Sequence, residues 1–315
     1  MKRMRPFLCA ALLGGTVTLL WQEQPVTAQA TGLAKRIVHT DPATFRMSPA
    51  VHGGAGSMGF TALLNRGAVT PEFNFLHRGV IPPGAGIGHH FHNTVEEMFV
   101  ILDGEAQFTI DGRTATVKGP AGVICRTGHS HAIYNASSTP VQWMNLNVSL
   151  TAGVYDAFDL GDTRANAALD PIPTFMTLRL DRALLRAPGG RGRGAAPAAP
   201  APNAVQSRRA LAPSVFSTTW AYVDHVLVPP GGSTPELAHE SVGEAYYVLA
   251  GSGTLTVKSP AAETAPVRTG DAIPIRIGES SQFTNTGSEP LELFVMGVAK
   301  DMAAKTQLLT GGAQR

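Results

Sequence analysis

"GIGHHFHNTVEEMFVILDG", residues 86–104, sets three histidines and two adjacent glutamates within a dozen residues. In an extended strand alternate side chains share a face, so His90 and His92 point one way and His89 and Phe91 the other. Glu97 follows His92 by five residues, enough for a tight turn into a returning strand that brings its carboxylate back beside the imidazoles. The same alternation turns Glu96 away and puts Phe99 and Ile101 on the wall with Glu97. Two imidazoles and a carboxylate on one wall suit a first-row transition metal, and such a set wants a fourth ligand. The other dense histidine stretch is "RTGHSHAIYN", residues 126–135.

The stretch is one of two copies. "VIPPGAG" at 80–86 recurs as "LVPPGGS" at 227–233, and "EEMFVILDGEAQFTI" at 96–110 recurs as "GEAYYVLAGSGTLTV" at 243–257. "TGHSHAIYNASSTPVQWMNLNV" at 127–148 recurs as "IGESSQFTNTGSEPLELFVMGV" at 277–298. Three blocks in one order at a nearly constant offset indicate a duplicated domain. Short apolar or alternating runs between Gly, Pro, Asn and Asp turns make both copies β-rich, and helical periodicity is found only in the last fifteen residues. The expected fold class is all-β, as sandwiches or barrels.

Here the residues resemble a known family. Gly84, His90, His92, Glu97 and Gly104 stand at the spacing of the first cupin motif, and Gly128, His131 and Asn135 meet the end of the second. Arg126 stands where that second motif usually has proline, and Pro120 where it usually has glycine. With two repeats the chain resembles a bicupin, which implies two jelly-roll (double-stranded β-helix) barrels. The resemblance implies His90, His92, Glu97 and His131 as ligands of one divalent transition metal, with Mn, Fe, Ni, Cu and Zn all compatible. Three histidines that merely line a barrel are the bland alternative, but unsatisfied buried polar groups cost about 1–3 kcal/mol each. In the second copy His239 and Glu244 align with His92 and Glu97, while Leu237 and Ser281 stand at the places of His90 and His131. Two ligands of four remain, so that barrel is expected to be metal-free, with His239 and Glu244 either paired to each other or lining a second ligand pocket.

A His3Glu set leaves open coordination positions, as a catalytic metal requires. The implied chemistry is bidentate capture of a small oxygenated substrate, with Glu97 able to act as general base. His129 is read as a proton carrier at the barrel mouth or a plain turn residue, and Arg126 as leaning over the cavity to bind a carboxylate or as bland surface. Alternation lets only one of His77 and Arg78 point inward, and Cys125 reads as a small buried residue. Family membership does not fix a reaction. Bicupin oxalate decarboxylases carry an arginine just ahead of the first metal histidine, where this chain has Ile87, and storage proteins fit a complete ligand set poorly. A dioxygenase-like enzyme is the first reading. A non-catalytic sugar- or organic-acid-binding protein, or a cupin isomerase, decarboxylase or lyase, is the alternative.

Residues 1–30 read as a signal peptide: Lys2, Arg3 and Arg5, an apolar run over 7–21, and Ala28-Gln29-Ala30. The expectation is a periplasmic or secreted protein without a membrane span after cleavage. Without that segment the chain has 22 basic and 22 acidic side chains, so no basic field draws it to nucleic acid. One cysteine then remains, which excludes an internal disulfide. The expected partner is a small-molecule substrate, and a homo-oligomer stays open. The expected divisions are 31–165 for the metal-bearing domain and 166–315 for the second. Within the second, "APGGRGRGAAPAAPAPNAVQSRR" at 187–209 reads as a disordered loop, with Arg191, Arg193, Arg208 and Arg209 solvated or facing an acidic partner. The match of "GFTALLNR" at 59–66 with "TFMTLRLDR" at 174–182 puts that loop between the second domain's first two strands.

Overall fold

The Val95–Ile101 strand of the quoted stretch is buried on both faces, and this follows from how two barrels share one core. In the computed structural model, which describes residues 32–187 and 204–310, every residue of the Val95–Ile101 strand is buried, as is every residue of Leu291–Ala299 in the second repeat. One face of each strand looks into its own barrel and the other looks across to the partner barrel, so a near-continuous apolar run replaces simple alternation. Leu76, Met98, Val100 and Leu146 of the first repeat and Trp220, Tyr247, Phe294 and Met296 of the second belong to a single apolar cluster. Each barrel also has an internal cluster, built on Phe99, Phe108 and Trp143 in the first and on Leu255, Ile273 and Phe283 in the second.

Among the described residues the strands form four sheets, all with antiparallel pairing between named strands, and Met302–Thr310 is the single α-helix beside a few short 3-10 turns. The all-β expectation therefore holds. A seven-stranded and a five-stranded sheet make the first barrel, and a six-stranded and a four-stranded sheet make the second. No helix among the described residues is long and apolar enough to cross a membrane. Residues 1–31, which include the expected signal peptide, lie outside the described residues.

The barrels exchange edge strands. Val38–His39 pairs with Asp271–Ile275 of the second repeat, while Thr177–Arg179 pairs with Ala121–Cys125 of the first. A division at residue 165 thus follows the sequence repeat, whereas the sheets reach across it. The exchange also corrects one alignment. The Ser57–Leu64 strand has its counterpart in Gln206–Leu211, each pairing with the first long strand of its barrel. Thr177–Arg179 corresponds instead to Val38–His39. Each is followed by an aspartate, Asp41 or Asp181, whose carboxylate accepts from an N–H two residues on at 2.9 Å. Short apolar runs are too alike for sequence alone to separate these choices. The expected loop over 187–209 is corrected at its far end: Arg208 and Arg209 lie in a strand, and Arg209 donates to Asp224 at 2.8 Å. Its residues 188–203, Arg191 and Arg193 among them, lie outside the described residues.

Candidate metal centre

Two facing sheets bring the four expected ligands together. His90 and His92 lie on Gly86–His92 and His131 on His129–Tyr134, with His131 directly opposite His90 in register. Glu97 comes from Val95–Ile101 in the other sheet. All four are buried, and one ligand atom from each lies within 4.8 Å of the others. His131 Nε2 is 3.0 Å from His90 Nε2 and 3.1 Å from His92 Nε2, and His92 Nε2 is 3.6 Å from Glu97 Oε2. Phe99 stacks on His131 at 4.2 Å and fixes its ring.

Chemistry decides whether this cluster fits a metal. His90 Nδ1 donates to the Gly88 carbonyl at 2.8 Å and His92 Nδ1 to the Asp156 carbonyl at 2.5 Å. Those bonds place each proton on Nδ1 and leave both Nε2 lone pairs aimed at His131. His131 Nε2 has one position to offer and cannot donate to both. A cation among the three nitrogens resolves the conflict. Burial, with the neighbouring His52 and His92 rings, holds His90 down to about 2, and burial holds His131 well below the usual imidazole range. Neutral imidazoles are what a metal needs. A divalent transition metal therefore fits this donor set.

Sequence reasoning missed the groups that orient the carboxylate. Asn145 Nδ2 donates to Glu97 Oε1 at 2.7 Å and Asn147 Nδ2 to Oε2 at 2.8 Å. Asn74 in turn donates to Asn147 Oδ1 at 2.8 Å. Positions 145 and 147 share one face of Val141–Ser149 beside Glu97, so "NLN" within the apolar middle of that buried strand was the available signal.

His52 was missed as well. Its ring stacks on His90 at 4.0 Å, and its Nδ1 is 2.7 Å from Asp159 Oδ1. The loop that carries it lies directly on the first ligand strand. A Cβ at Gly88 would stand 2.2 Å from the His52 carbonyl, and one at Gly54 2.4 Å from that of Gly86. Gly54, Gly86 and Gly88 are thus requirements of close backbone approach. Next to the ligands is a cavity of about 190 Å³, walled by Phe60, Phe75, Trp143 and Tyr155 and reached by Glu97 and Asn145. His77 points into it, while Arg78 turns outward to donate to Tyr247 of the second repeat at 3.1 Å.

Two suggested catalytic residues are placed elsewhere. Arg126 is exposed and does not line the cavity. His129 is half-exposed at the rim, its Nδ1 2.6 Å from Asp111 Oδ2, and does not line the cavity either. A turn position puts a residue near a barrel mouth without setting where its side chain points. His89 faces away from the ligands, with Nε2 2.8 Å from Ser130 Oγ. Cys125 is buried, and burial pushes its thiol up.

In the second barrel the equivalent space is filled by protein. Tyr222, the counterpart of Phe75, donates to Glu244, as does Tyr246, and His239 Nε2 is 2.9 Å from Ser281 Oγ. Gly297 stands opposite Glu244 where Asn147 stands opposite Glu97, and a Cβ there would lie 2.4 Å from the Tyr222 ring. His239 Nδ1 is 3.5 Å from Glu244 Oε2, so the expected pair exists within a plug of tyrosines.

Fold and site define a two-barrel β protein with a candidate metal centre in its first barrel. Residues 77–148 and 224–297 match the cupin domain. The oxalate-binding protein of Thermotoga maritima is 31% identical over 102 residues, which cover 32% of this chain and 83% of that protein. The chain belongs to the cupin family. A solved oxalate decarboxylase from Lactobacillus farciminis, in complex with formate, is similar at a TM-score of 0.57 and 16% identity, over 84% of this chain and 86% of that one. A deletion mutant of the Bacillus subtilis oxalate decarboxylase gives 0.55 at 16% identity, over 84% and 77%. At such identity the likeness is one of fold, here the bicupin fold.

Proposed function

We propose that this chain is an exported, metal-dependent cupin enzyme of the dioxygenase type, acting on a small oxygenated substrate held in its first barrel. The supporting observation is the cavity, which is largely aromatic, contains no lysine or arginine, and adjoins the candidate metal ligands. His90, His92, Glu97 and His131 would hold the metal, which supplies Lewis-acid polarisation and, if redox-active, electron transfer. Glu97 keeps a lone pair on each oxygen beyond those that accept from Asn145 and Asn147, and is the group placed to take a proton from a substrate hydroxyl. Export is supported by the leader pattern of residues 1–30.

A second reading is favoured by the likeness to an oxalate-binding protein: capture of an organic acid without turnover. A decarboxylase variant of this reading is supported by the shared fold. Against the decarboxylase variant stands Ile87, buried and lining the cavity where those decarboxylases are expected to present an arginine. Protein loaded separately with Mn, Fe, Ni and Cu is to be assayed for oxygen uptake with a phenolic panel and for carbon dioxide release from oxalate. Oxygen uptake that disappears in Glu97→Gln is the expected result. Carbon dioxide from oxalate, or binding of oxalate without any turnover, would replace the proposal with the second reading.

A further inference from the structure

The cavity wall contains two buried polar atoms without a protein partner, Trp143 Nε1 and Asn145 Oδ1. They sit two residues apart on one strand and so on one face. The Asn145 amide cannot be turned around, because its Nδ2 is already given to Glu97 Oε1 at 2.7 Å. Its Oδ1 is thus an acceptor awaiting a donor, and the indole N–H is a donor awaiting an acceptor. Leaving either unmet costs about 1–3 kcal/mol. One unpartnered donor and one unpartnered acceptor in one wall describe a ligand that carries both a hydroxyl and a further oxygen.

Charge narrows the class. A divalent metal beside one carboxylate leaves a single positive charge for the ligand to neutralise. A second negative charge would be buried without a free cation, since the wall has no lysine or arginine, burial keeps His77 neutral down to about pH 4, and the other lining histidine, His52, is already paired with Asp159 Oδ1 at 2.7 Å. Size and shape narrow it further. Phe60, Phe75 and Trp143 offer flat apolar surfaces. Apolar cavities of about 150 Å³ admit benzene, so about 190 Å³ suits one substituted ring.

We propose that the first barrel binds a single-ring, singly charged hydroxylated aromatic, with Asn145 Oδ1 accepting from its hydroxyl and Trp143 Nε1 donating to a second oxygen. This rests on the metal-centre reading above. Oxalate fits poorly by the same chemistry, because the dianion has no donor for Asn145 and one charge too many.

Zinc, which does not take part in oxygen chemistry, allows binding to be read without turnover. Zinc-loaded protein is titrated calorimetrically with 2-hydroxybenzoate, catechol and oxalate, and zinc content is measured in the same samples. The aromatic ligands should bind at least about tenfold more tightly than oxalate, and Trp143→Phe should weaken the aromatic ligands about tenfold, the worth of one hydrogen bond, at unchanged zinc content. Oxalate binding as tightly as the aromatics, or Trp143→Phe leaving their affinity unchanged, would overturn the proposal. Protein that takes up no zinc overturns the metal reading and the proposal with it. The wild-type comparison needs no variant, so it decides even if Trp143→Phe fails to fold.

Discussion

Glu96 and Glu97 are consecutive residues that serve opposite sides of one strand. Glu97 faces into the first barrel between two asparagine amides. Glu96 faces the second barrel, where its Oε1 accepts from the Ser217 N–H at 2.7 Å and its Oε2 from the Thr218 N–H at 2.9 Å and the Thr218 hydroxyl at 2.6 Å. Lys305 Nζ holds the other side of that turn, donating to the carbonyls of Phe216, at 2.6 Å, and Thr218. One strand thus joins the candidate site to the seam between barrels.

Alternation alone makes Glu96→Gln an innocuous change, since the side chain points away from the cavity. The structure gives the opposite expectation. Glu96 is fully buried, and a carboxamide there would set its own N–H₂ against an N–H donor. Loss of a charge-assisted bond should cost about 2–3 kcal/mol, visible as a lower denaturant midpoint, with metal content unchanged. An unshifted midpoint would show that Glu96 does not hold the 216–218 turn.

Asn147→Ala removes the donor to Glu97 Oε2 while leaving all four ligands in place. Groups that orient metal ligands typically contribute about 10–100-fold to metal affinity. Competition with a chelator should show a loss in that range. Wild-type affinity in this variant would mean that the asparagine pair does not position Glu97.

His77 sets an acid limb on stability. Burial lowers it from 6.5 to about 4. Below about pH 6.5 the unfolded chain binds a proton that the folded chain refuses, so unfolding is favoured increasingly as pH falls towards 4. The slope from this one group is at most about 1.4 kcal/mol per pH unit. His77→Phe should flatten the stability profile between those values. A profile as steep as the wild type's would contradict the assignment.

Cleavage between residues 187 and 204 should leave the two fragments together on a sizing column. The first fragment gives Val38–His39 to the second barrel's sheet, and one apolar cluster joins both repeats. Glu96 and Arg78 add buried polar contacts across the seam. Separation into two folded barrels would show that this shared core contributes little.

The parts of this molecule legible in its sequence are those fixed by local periodicity. His90 and His92 share a wall because a strand has period two, whereas Glu97, expected on that same wall, reaches them from the facing sheet, because the short turn after His92 crosses between sheets. His131 was legible only through the family motif, since its register opposite His90 depends on pairing between strands 41 residues apart. Asn145 and Asn147 looked like ordinary polar residues until Glu97 was seen between them. Tyr222 could not be recognised as a plug, because what makes room for its ring is Gly297 on the neighbouring strand. The edge-strand exchange was hidden for the same reason: strands of two and three residues carry too little pattern to name their partners.

The most direct test is elemental analysis of the purified protein beside two variants, His131→Ala and His239→Ala. The four-ligand cluster of the first barrel and the tyrosine-filled second barrel predict one metal per chain, less than a tenth of that in His131→Ala, and one again in His239→Ala. Two metals per chain with one lost in His239→Ala, or undiminished metal in His131→Ala, would contradict the account.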